Sequence, residues 1–114
     1  MRSLAKTPKY RNRKTTLDGI AFDSKREATR YSQLRLLERA GQIRDLSLQP
    51  KFTLVDSQRR ADGKAERPVV YIADFMYFEG DTCVVEDAKG MKTPEYIIKR
   101  KLMLSRHGIT VKEV

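Results

Sequence analysis

The feature that most constrains the fold is a pair of apolar runs between residues 69 and 89, separated by a short turn. The first run reads V-V-Y-I-A-D-F-M-Y-F, the turn reads E-G-D, and the second run reads T-C-V-V-E-D-A-K. β-Branched and aromatic residues on both sides of a glycine-containing turn are typical of an antiparallel hairpin. We therefore predict one hairpin over residues 69–89 and expect the rest of the chain to pack around it.

The two strands of this hairpin contain acids at informative positions. Asp74 lies among apolar residues of the first run, where an isolated carboxylate is costly unless a cation meets it. In the second run, Asp87 and Lys89 are two positions apart and share a strand face, whereas Glu86 points to the other face. We predict that either a metal ion or Lys89 supplies the positive charge beside Asp74.

The charge balance indicates the kind of partner. The 114 residues include 24 Lys and Arg against 15 Asp and Glu, a formal net charge of +9. Such an excess favours nucleic acid as the partner, because each neutralised phosphate releases counterions. The length suits one domain, and no apolar run approaches the roughly 20 residues of a membrane span. The single cysteine, Cys83, excludes an internal disulfide and favours a reducing, cytoplasmic location.

Basic residues are concentrated at the start of the chain. Residues 1–16 contain six of them and no acid, which predicts a flexible arm that follows a phosphate backbone. A disordered terminus without a role is the alternative. We place a single folded domain at residues 17–114. The arm residues predicted to contact DNA are Lys9, Arg11, Arg13 and Lys14.

Two helices are predicted from their end signals. Ser24-x-x-Glu27 matches a capping box and Gly41 suits a left-handed C-terminal cap, which bounds the first helix. Thr93-Pro94 opens the second helix and Gly108 closes it. Apolar side chains at helical spacing predict the buried faces. They are Ala28, Tyr31, Leu34, Leu37 and Ala40 in the first helix, and Ile97, Ile98, Leu102 and Leu104 in the second.

The remaining segments predict strands and one loop. Asp18-Gly19 is a tight-turn signal between two short apolar runs. Strands are expected at about residues 43–48, at residues 51–55 and at residues 109–114. Residues 57–67 are expected to form either a mobile surface loop that could touch nucleic acid or a plain long connection. The order hairpin, helix, two strands, hairpin, helix, strand indicates an α/β or α+β domain with a mixed β-sheet flanked by helices.

The hairpin acids can support metal-dependent hydrolysis of a phosphodiester. Mg²⁺ prefers oxygen ligands and retains several waters. Asp74 and Asp87 on paired strands can converge on one ion, and the backbone carbonyl of Ala88 would supply a third oxygen. Lys89 would orient or help to deprotonate the attacking water and neutralise the transition state. The alternative is a buried structural ion pair between Asp74 and Lys89.

The motif Y-I-A-D-F…V-V-E-D-A-K-G-M-K-T resembles the core of the PD-(D/E)XK nuclease superfamily, which includes many restriction enzymes and junction resolvases. More narrowly, the chain is similar to a small phage and prophage family of that superfamily. The similarity includes F-D-S-K-R-E-A-T-R-Y, L-L-E-R-A-G-Q-I-R-D-L-S-L-Q-P-K-F and Y-I-I-K-R-K-L, and extends from about Tyr10 onward. It implies a restriction-endonuclease-like core with a divalent-metal site.

The resemblance also implies roles for individual residues. It places the first motif acid at Asp74 and the acid-x-Lys motif at Asp87 and Lys89, with Glu86 as an alternative acid. It adds a glutamate from the first helix, which is Glu27, as a direct or water-mediated metal ligand. Gln49 near the site is a weaker candidate, with a buried glutamine that bonds to the backbone as the alternative. Lys92, Lys99 and Lys101 are also predicted to contact DNA phosphates, and solvated surface charge is the alternative for Lys99 and Lys101.

The combined prediction is an endodeoxyribonuclease that uses Mg²⁺ or Mn²⁺ in phage or prophage DNA processing, such as recombination, repair or junction resolution. A phage-encoded protein would act in the host cytoplasm. The alternative is a non-catalytic DNA-binding subunit of a phage replication, recombination or packaging complex. Cutting both strands with one small domain would require a homodimer.

Overall fold

The computed structural model describes residues 14–114 and shows a mixed α+β fold. The predicted DNA contacts Lys9, Arg11 and Arg13 therefore lie outside the described residues. In chain order the elements are β1 (Thr15–Leu17), β2 (Ile20–Phe22), α1 (Lys25–Arg39), β3 (Arg44–Leu48), β4 (Lys51–Val55), β5 (Gln58–Arg59), β6 (Ala65–Glu66), β7 (Val69–Ile72), β8 (Phe75–Glu79), β9 (Thr82–Asp87), α2 (Pro94–His107) and β10 (Lys112–Glu113).

A four-stranded mixed sheet forms the centre of the fold, in the order β10-β9-β8-β3. β9 pairs antiparallel with β8 and parallel with β10, and β3 completes the other edge. Three two-stranded pairs accompany it: β1 with β2, β4 with β7, and β5 with β6. The chain thus brings the ends of β7, β8 and β9 together, which is where the predicted acids lie.

The central sheet separates two apolar cores, one under each helix. On the α1 face, buried side chains of that helix pack with Phe75 and Tyr77 of β8. On the α2 face, Tyr96 and Met103 pack with Val85 of β9. Because side chains alternate along a strand, β9 presents Glu86 toward α1 and Asp87 toward α2. The sheet therefore assigns these two neighbouring acids to different environments.

The hairpin predicted over residues 69–89 is only half correct. β8 and β9 form an antiparallel hairpin with the turn at Gly80, whose φ is +62°. The preceding segment, Val69–Ile72, instead pairs with Lys51–Val55 in a separate two-stranded sheet. Asp74 consequently lies in the short break between β7 and β8, and the prediction that it sits within a strand was wrong.

The end signals of both helices are confirmed. Ser24 Oγ accepts a hydrogen bond from the backbone N–H of Glu27 at 3.1 Å, and Thr93 caps α2 in the same way. Gly41 adopts φ +77°, and the N–H groups of Gly41 and Gln42 bond back to the last turn of α1. Gly108 ends α2 with φ +67°.

The predicted apolar faces are only partly correct. Ala40 at the end of α1 is exposed, and so are Ile98 and Leu104 of α2, at 58% and 54%. Tyr96 and Met103 are instead the fully buried residues of α2. The sheet covers a narrower part of the α2 surface than the apolar residues occupy, so burial could not be inferred from spacing alone.

Two predicted boundaries also differ from the structure. Thr15 and Thr16, assigned to the basic arm, belong to β1, so regular structure begins before residue 17. Residues 57–67, predicted as an irregular loop, contain the short ribbon of β5 and β6. The last strand is shorter than expected, Lys112–Glu113.

Neither described helix combines the length and apolar character needed to cross a bilayer.

Candidate functional site

Asp74 and Asp87 meet where β9 ends and the chain enters β8. Asp87 is the last residue of β9 and is 3% exposed, and its Oδ2 accepts a hydrogen bond from the hydroxyl of Tyr71. Asp74 Oδ2 accepts a hydrogen bond from the backbone N–H of Ala88 at 2.7 Å. The backbone N–H of Asp74 in turn donates to the carbonyl of Glu86 at 3.1 Å, and burial together with the negative charge of Asp87 raises the pKa of Asp74. The two predicted motif acids therefore form one pair.

This pair cannot easily hold two negative charges. The pKa of Asp74 is raised from its ordinary value of 3.8 to about 7, chiefly by burial and also by the negative charges of Asp87 and Glu27. The hydrogen bond from Ala88 opposes this shift but does not cancel it. Near neutral pH the pair is thus poised to exchange a proton for another positive charge.

Lys89 contributes the nearest amine to this pair. Its Nζ lies 3.6 Å from Asp87 Oδ1 and 4.6 Å from the ring centre of Tyr96, over the ring face. The prediction that Asp87 and Lys89 share a strand face is wrong for Lys89, because β9 ends at Asp87. The side chains still make contact, and the ion pair of Lys89 is with Asp87 rather than with Asp74. Lys89 also borders a cleft of about 340 Å³ that is open to solvent and includes Tyr71, Tyr96 and Lys99.

Glu27 and Gln49 lie on the opposite side of Asp74. Together with Asp74 they border a small cavity of about 120 Å³, whose other lining is mainly apolar. Burial raises the pKa of Glu27, with Asp23 and Asp87 acting in the same direction and Lys89 against it. The helix cap uses only the backbone N–H of Glu27, so its side chain is free to face this cavity.

Gln49 is fixed by an unusual backbone conformation. It adopts φ +51°, a left-handed conformation that is uncommon for residues other than glycine. Its N–H donates to the carbonyl of Asp74 at 2.9 Å. The turn between β3 and β4 is thereby joined to the segment that carries Asp74, which places Gln49 at the cavity edge.

Glu86 belongs to the other face of the sheet. It is fully buried and receives hydrogen bonds from Arg30 Nε and Nη2, each at 2.7 Å, and from the hydroxyl of Tyr77. Burial alone would raise the pKa of Glu86, but these hydrogen bonds and the charge of Arg30 lower it. Glu86 is therefore committed to a structural ion pair that joins β9 to α1.

The predicted DNA-binding lysines are spread over different surfaces. Lys99 lies in the cleft beside Lys89, where it also pairs with Glu95 at 3.1 Å. Lys92 pairs with Glu113 at 3.2 Å. Lys101 and Lys14 are exposed, and Lys101, two positions from Lys99, projects from a different side of α2. Of these four lysines, Lys99 alone borders the cleft that also contains Lys89.

Tyr71 and Tyr96 contact site residues but were not predicted from the sequence. Tyr71 orients Asp87 through its hydroxyl, and the ring of Tyr96 supports the amine of Lys89. A buried tyrosine hydroxyl normally has a polar partner. The tyrosine in V-V-Y-I could therefore have been predicted to place its hydroxyl against a polar group of the site.

The donor set fits a hard divalent cation. Carboxylate oxygens are the ligands that Mg²⁺ and Mn²⁺ favour, and a cation would offset the burial and the like-charge repulsion that raise the pKa of Asp74. The arrangement is incomplete, because no three His, Cys, Asp or Glu side chains of residues 14–114 converge as they would around a bound metal. The residues that would hold it are Asp74 and Asp87, with Glu27 and the Ala88 carbonyl as predicted additional ligands.

The raised pKa of Asp74 predicts an unusual dependence of stability on pH. The folded protein holds this proton more tightly than the unfolded chain does, so the contribution of Asp74 to stability falls as pH rises from about 4 to about 7. Asparagine has no such proton to lose. In EDTA, we therefore expect the melting temperature of wild type to fall relative to that of Asp74→Asn between pH 5 and pH 8. Differential scanning fluorimetry would measure it.

The same experiment with Mn²⁺ tests the metal. Deprotonated ligands bind metal better, so Mn²⁺ should stabilise the wild-type protein more at pH 8 than at pH 5.5, and a concentration of 100 times Kd would add about 2.7 kcal/mol. Asp87→Asn should lose this stabilisation, whereas Asp81→Asn in the exposed hairpin turn should keep it. Equal stabilisation of both variants would refute metal binding at Asp87.

Comparison with known proteins places the chain in a family but supplies no activity. Neither the curated proteins nor the solved structures include a significant match. The model of one family, described as a protein of unknown function (DUF1064), matches residues 7–112. Because this match covers nearly the whole chain, including Glu27 and the Asp74–Lys89 segment, the protein belongs to the DUF1064 family.

Proposed function

We propose that this protein is a metal-dependent endodeoxyribonuclease of the PD-(D/E)XK type. The observation that supports this most strongly is the carboxyl pair of Asp74 and Asp87, with the amine of Lys89 3.6 Å from Asp87. The sequence motif, the basic character of the chain and the solvent-open cleft beside Lys89 agree with the same chemistry. Mg²⁺ or Mn²⁺ is the proposed cofactor, and DNA the proposed substrate.

Each residue of the site has a role in the proposed mechanism. Asp74 and Asp87, assisted by Glu27, hold the cation, which when bound activates water and stabilises negative charge on the phosphate. Lys89 donates a hydrogen bond from Nζ to the attacking water or to a non-bridging phosphate oxygen. The water oxygen joins phosphorus and gives up one proton to solvent, the bond to one sugar oxygen breaks, and that sugar oxygen takes up a proton from solvent.

Three surrounding residues position the reacting groups and take no part in bond cleavage. Tyr71 donates to Asp87 Oδ2 and leaves Oδ1 directed toward Lys89. Tyr96 limits the movement of the Lys89 amine from beneath. Lys99, farther along the same cleft, is placed to neutralise a neighbouring phosphate. The cleft therefore offers a path for a sugar-phosphate chain past Lys89, whose amine contacts Asp87.

A cleavage panel tests this function directly. Labelled linear, flapped and four-way DNA would be incubated with the protein and Mg²⁺ or Mn²⁺, and with EDTA as the control. We expect internal cuts with either metal and none in EDTA. DNA binding without cleavage of any substrate by either metal would refute the enzyme and favour the non-catalytic DNA-binding subunit.

Lys89→Met is expected to reduce cleavage about a hundredfold or more, because it removes the donor and charge at the reacting phosphate. The side chain of Lys89 is 30% exposed, so the melting temperature should change little. Initial cleavage rates at saturating DNA would measure the effect. Lys101→Met removes the same charge from a different side of α2 and should change the rate only a few-fold; equal losses in the two variants would argue against a catalytic role for Lys89.

A further inference from the structure

A short basic ribbon lies in the chain between β4 and β7, the strand pair that contains Tyr71. β5 and β6 form a short antiparallel ribbon, in which Gln58 pairs with Glu66 and Arg59 with Ala65. The turn is closed by hydrogen bonds between Arg60 and Lys64 and between Gly63 and Arg60, each at 2.9 Å. All residues from 56 to 69 are exposed. The ribbon therefore has a defined shape without contributing to either apolar core.

The ribbon contains more basic side chains than its own hydrogen bonds and ion pairs involve. Residues 57–67 contain four basic residues against two acidic ones. Arg59 Nη1 donates to the carbonyl of Gly63, and Arg60 pairs with Asp62. Among the ion pairs formed within residues 14–114, none includes Lys64 or Arg67. These two charges are available to a partner.

The ribbon is also within reach of the candidate site. Ala65 of the ribbon and Tyr71, which contacts Asp87, are six residues apart in the sequence. A fully extended chain spans at most about 3.6 Å per residue, so their Cα atoms are separated by no more than ~22 Å. At about 3.4 Å per base pair, this distance corresponds to roughly six base pairs. One duplex can touch both elements.

We propose that the ribbon of residues 57–67 binds double-stranded DNA next to the cleavage site. The inference rests on the proposed function, and it identifies duplex rather than single-stranded DNA as the substrate class. A two-stranded β-ribbon fits the major groove of B-form DNA, which is about 12 Å wide. Lys64 and Arg67, which are free of the ribbon's own ion pairs, contact phosphates at the groove edges.

The test compares two double variants with equal net charge. Lys64→Gln/Arg67→Gln removes the two available ribbon charges, and Arg39→Gln/Arg44→Gln removes two exposed charges from the end of α1 and from β3. Binding of a 20-base-pair duplex and of the matching single strand would be measured by fluorescence anisotropy in EDTA at several salt concentrations. EDTA prevents cleavage, so the measurement does not depend on catalysis.

For the ribbon variant, the slope of log K against log salt on duplex should become about 1.8 less steep, because two phosphate contacts are lost at about 0.9 each. Its duplex affinity should fall at least tenfold relative to the Arg39/Arg44 control, with a smaller change on single strand. Equal slopes and affinities of the two variants would overturn the proposal, and so would a larger loss on single strand. If the ribbon result holds while wild type cuts no substrate, the nuclease proposal alone fails.

Discussion

Asp87→Asn and Asp74→Asn are each expected to reduce DNA cleavage by a thousandfold or more. Removal of one metal ligand weakens both cation binding and the activation of water, and a loss of about 4 kcal/mol in transition-state stabilisation corresponds to this factor. The amides keep a carbonyl oxygen that can accept the hydrogen bonds from Tyr71 and Ala88. The fold should therefore persist, and DNA affinity in EDTA should remain close to wild type.

Single-turnover cleavage of the substrate preferred in the panel would measure this loss. Asp81→Asn is the matched control, because it removes one acid from the exposed turn of the same hairpin. It should cleave within a few-fold of wild type. A normal rate for either site variant with the same metal would exclude the assigned metal ligands.

Arg30→Ala is expected to have the largest effect on stability. Glu86 is completely buried, and both of its oxygens bond to the Arg30 guanidinium. Removing the arginine leaves a buried carboxylate whose remaining cation, Lys112 Nζ, is 4.0 Å away. Breaking such a pair from one side costs about 3 kcal/mol or more, which lowers the melting temperature of a domain of this size by roughly 12 °C or more.

Thermal and urea unfolding would measure this loss, with Arg39→Ala in the last turn of α1 as the control. The double variant Arg30→Met/Glu86→Met should recover most of the stability, because the buried charge disappears with its partner. Below the melting temperature, Arg30→Ala should retain cleavage within a few-fold of wild type. If Arg30→Ala abolished cleavage in the folded state, the Glu86 side of the sheet would have to belong to the active site.

These two experiments separate the roles of neighbouring acids in β9. Glu86 and Asp87 are adjacent in the chain, yet one faces α1 and the other faces the end of β7. We expect loss of activity without loss of stability at Asp87, and the reverse at the Arg30–Glu86 pair. This pattern would also show that Asp87, and not Glu86, is the acid of the acid-x-Lys motif.

Several features of the fold were predictable because they depend on short-range rules. The ends of both helices follow from Ser24, Gly41, Thr93 and Gly108, whose side chains or φ angles satisfy the terminal backbone groups locally. The tight turn at Asp18-Gly19 has positive φ at both residues, as its sequence requires. Strand alternation likewise separated Glu86 from Asp87 before any contact was known.

Tertiary structure decided which distant segments meet. Nothing in V-V-Y-I-A-D-F-M-Y-F shows that its first half pairs with Lys51–Val55 and its second half with β9, because both halves have the same strand character. That division places Asp74 in a break and brings Tyr71 to Asp87.

The sequence by itself thus determined the helix ends, the turns at Asp18-Gly19 and Gly80, and the opposite faces of Glu86 and Asp87, because neighbours along the chain set these. Only the tertiary structure decided that Arg30 neutralises Glu86, 56 residues away, and that Tyr71 bonds to Asp87. Such contacts depend on the packing of whole elements, since a side chain responds to any partner that the fold brings near, whatever their separation in sequence.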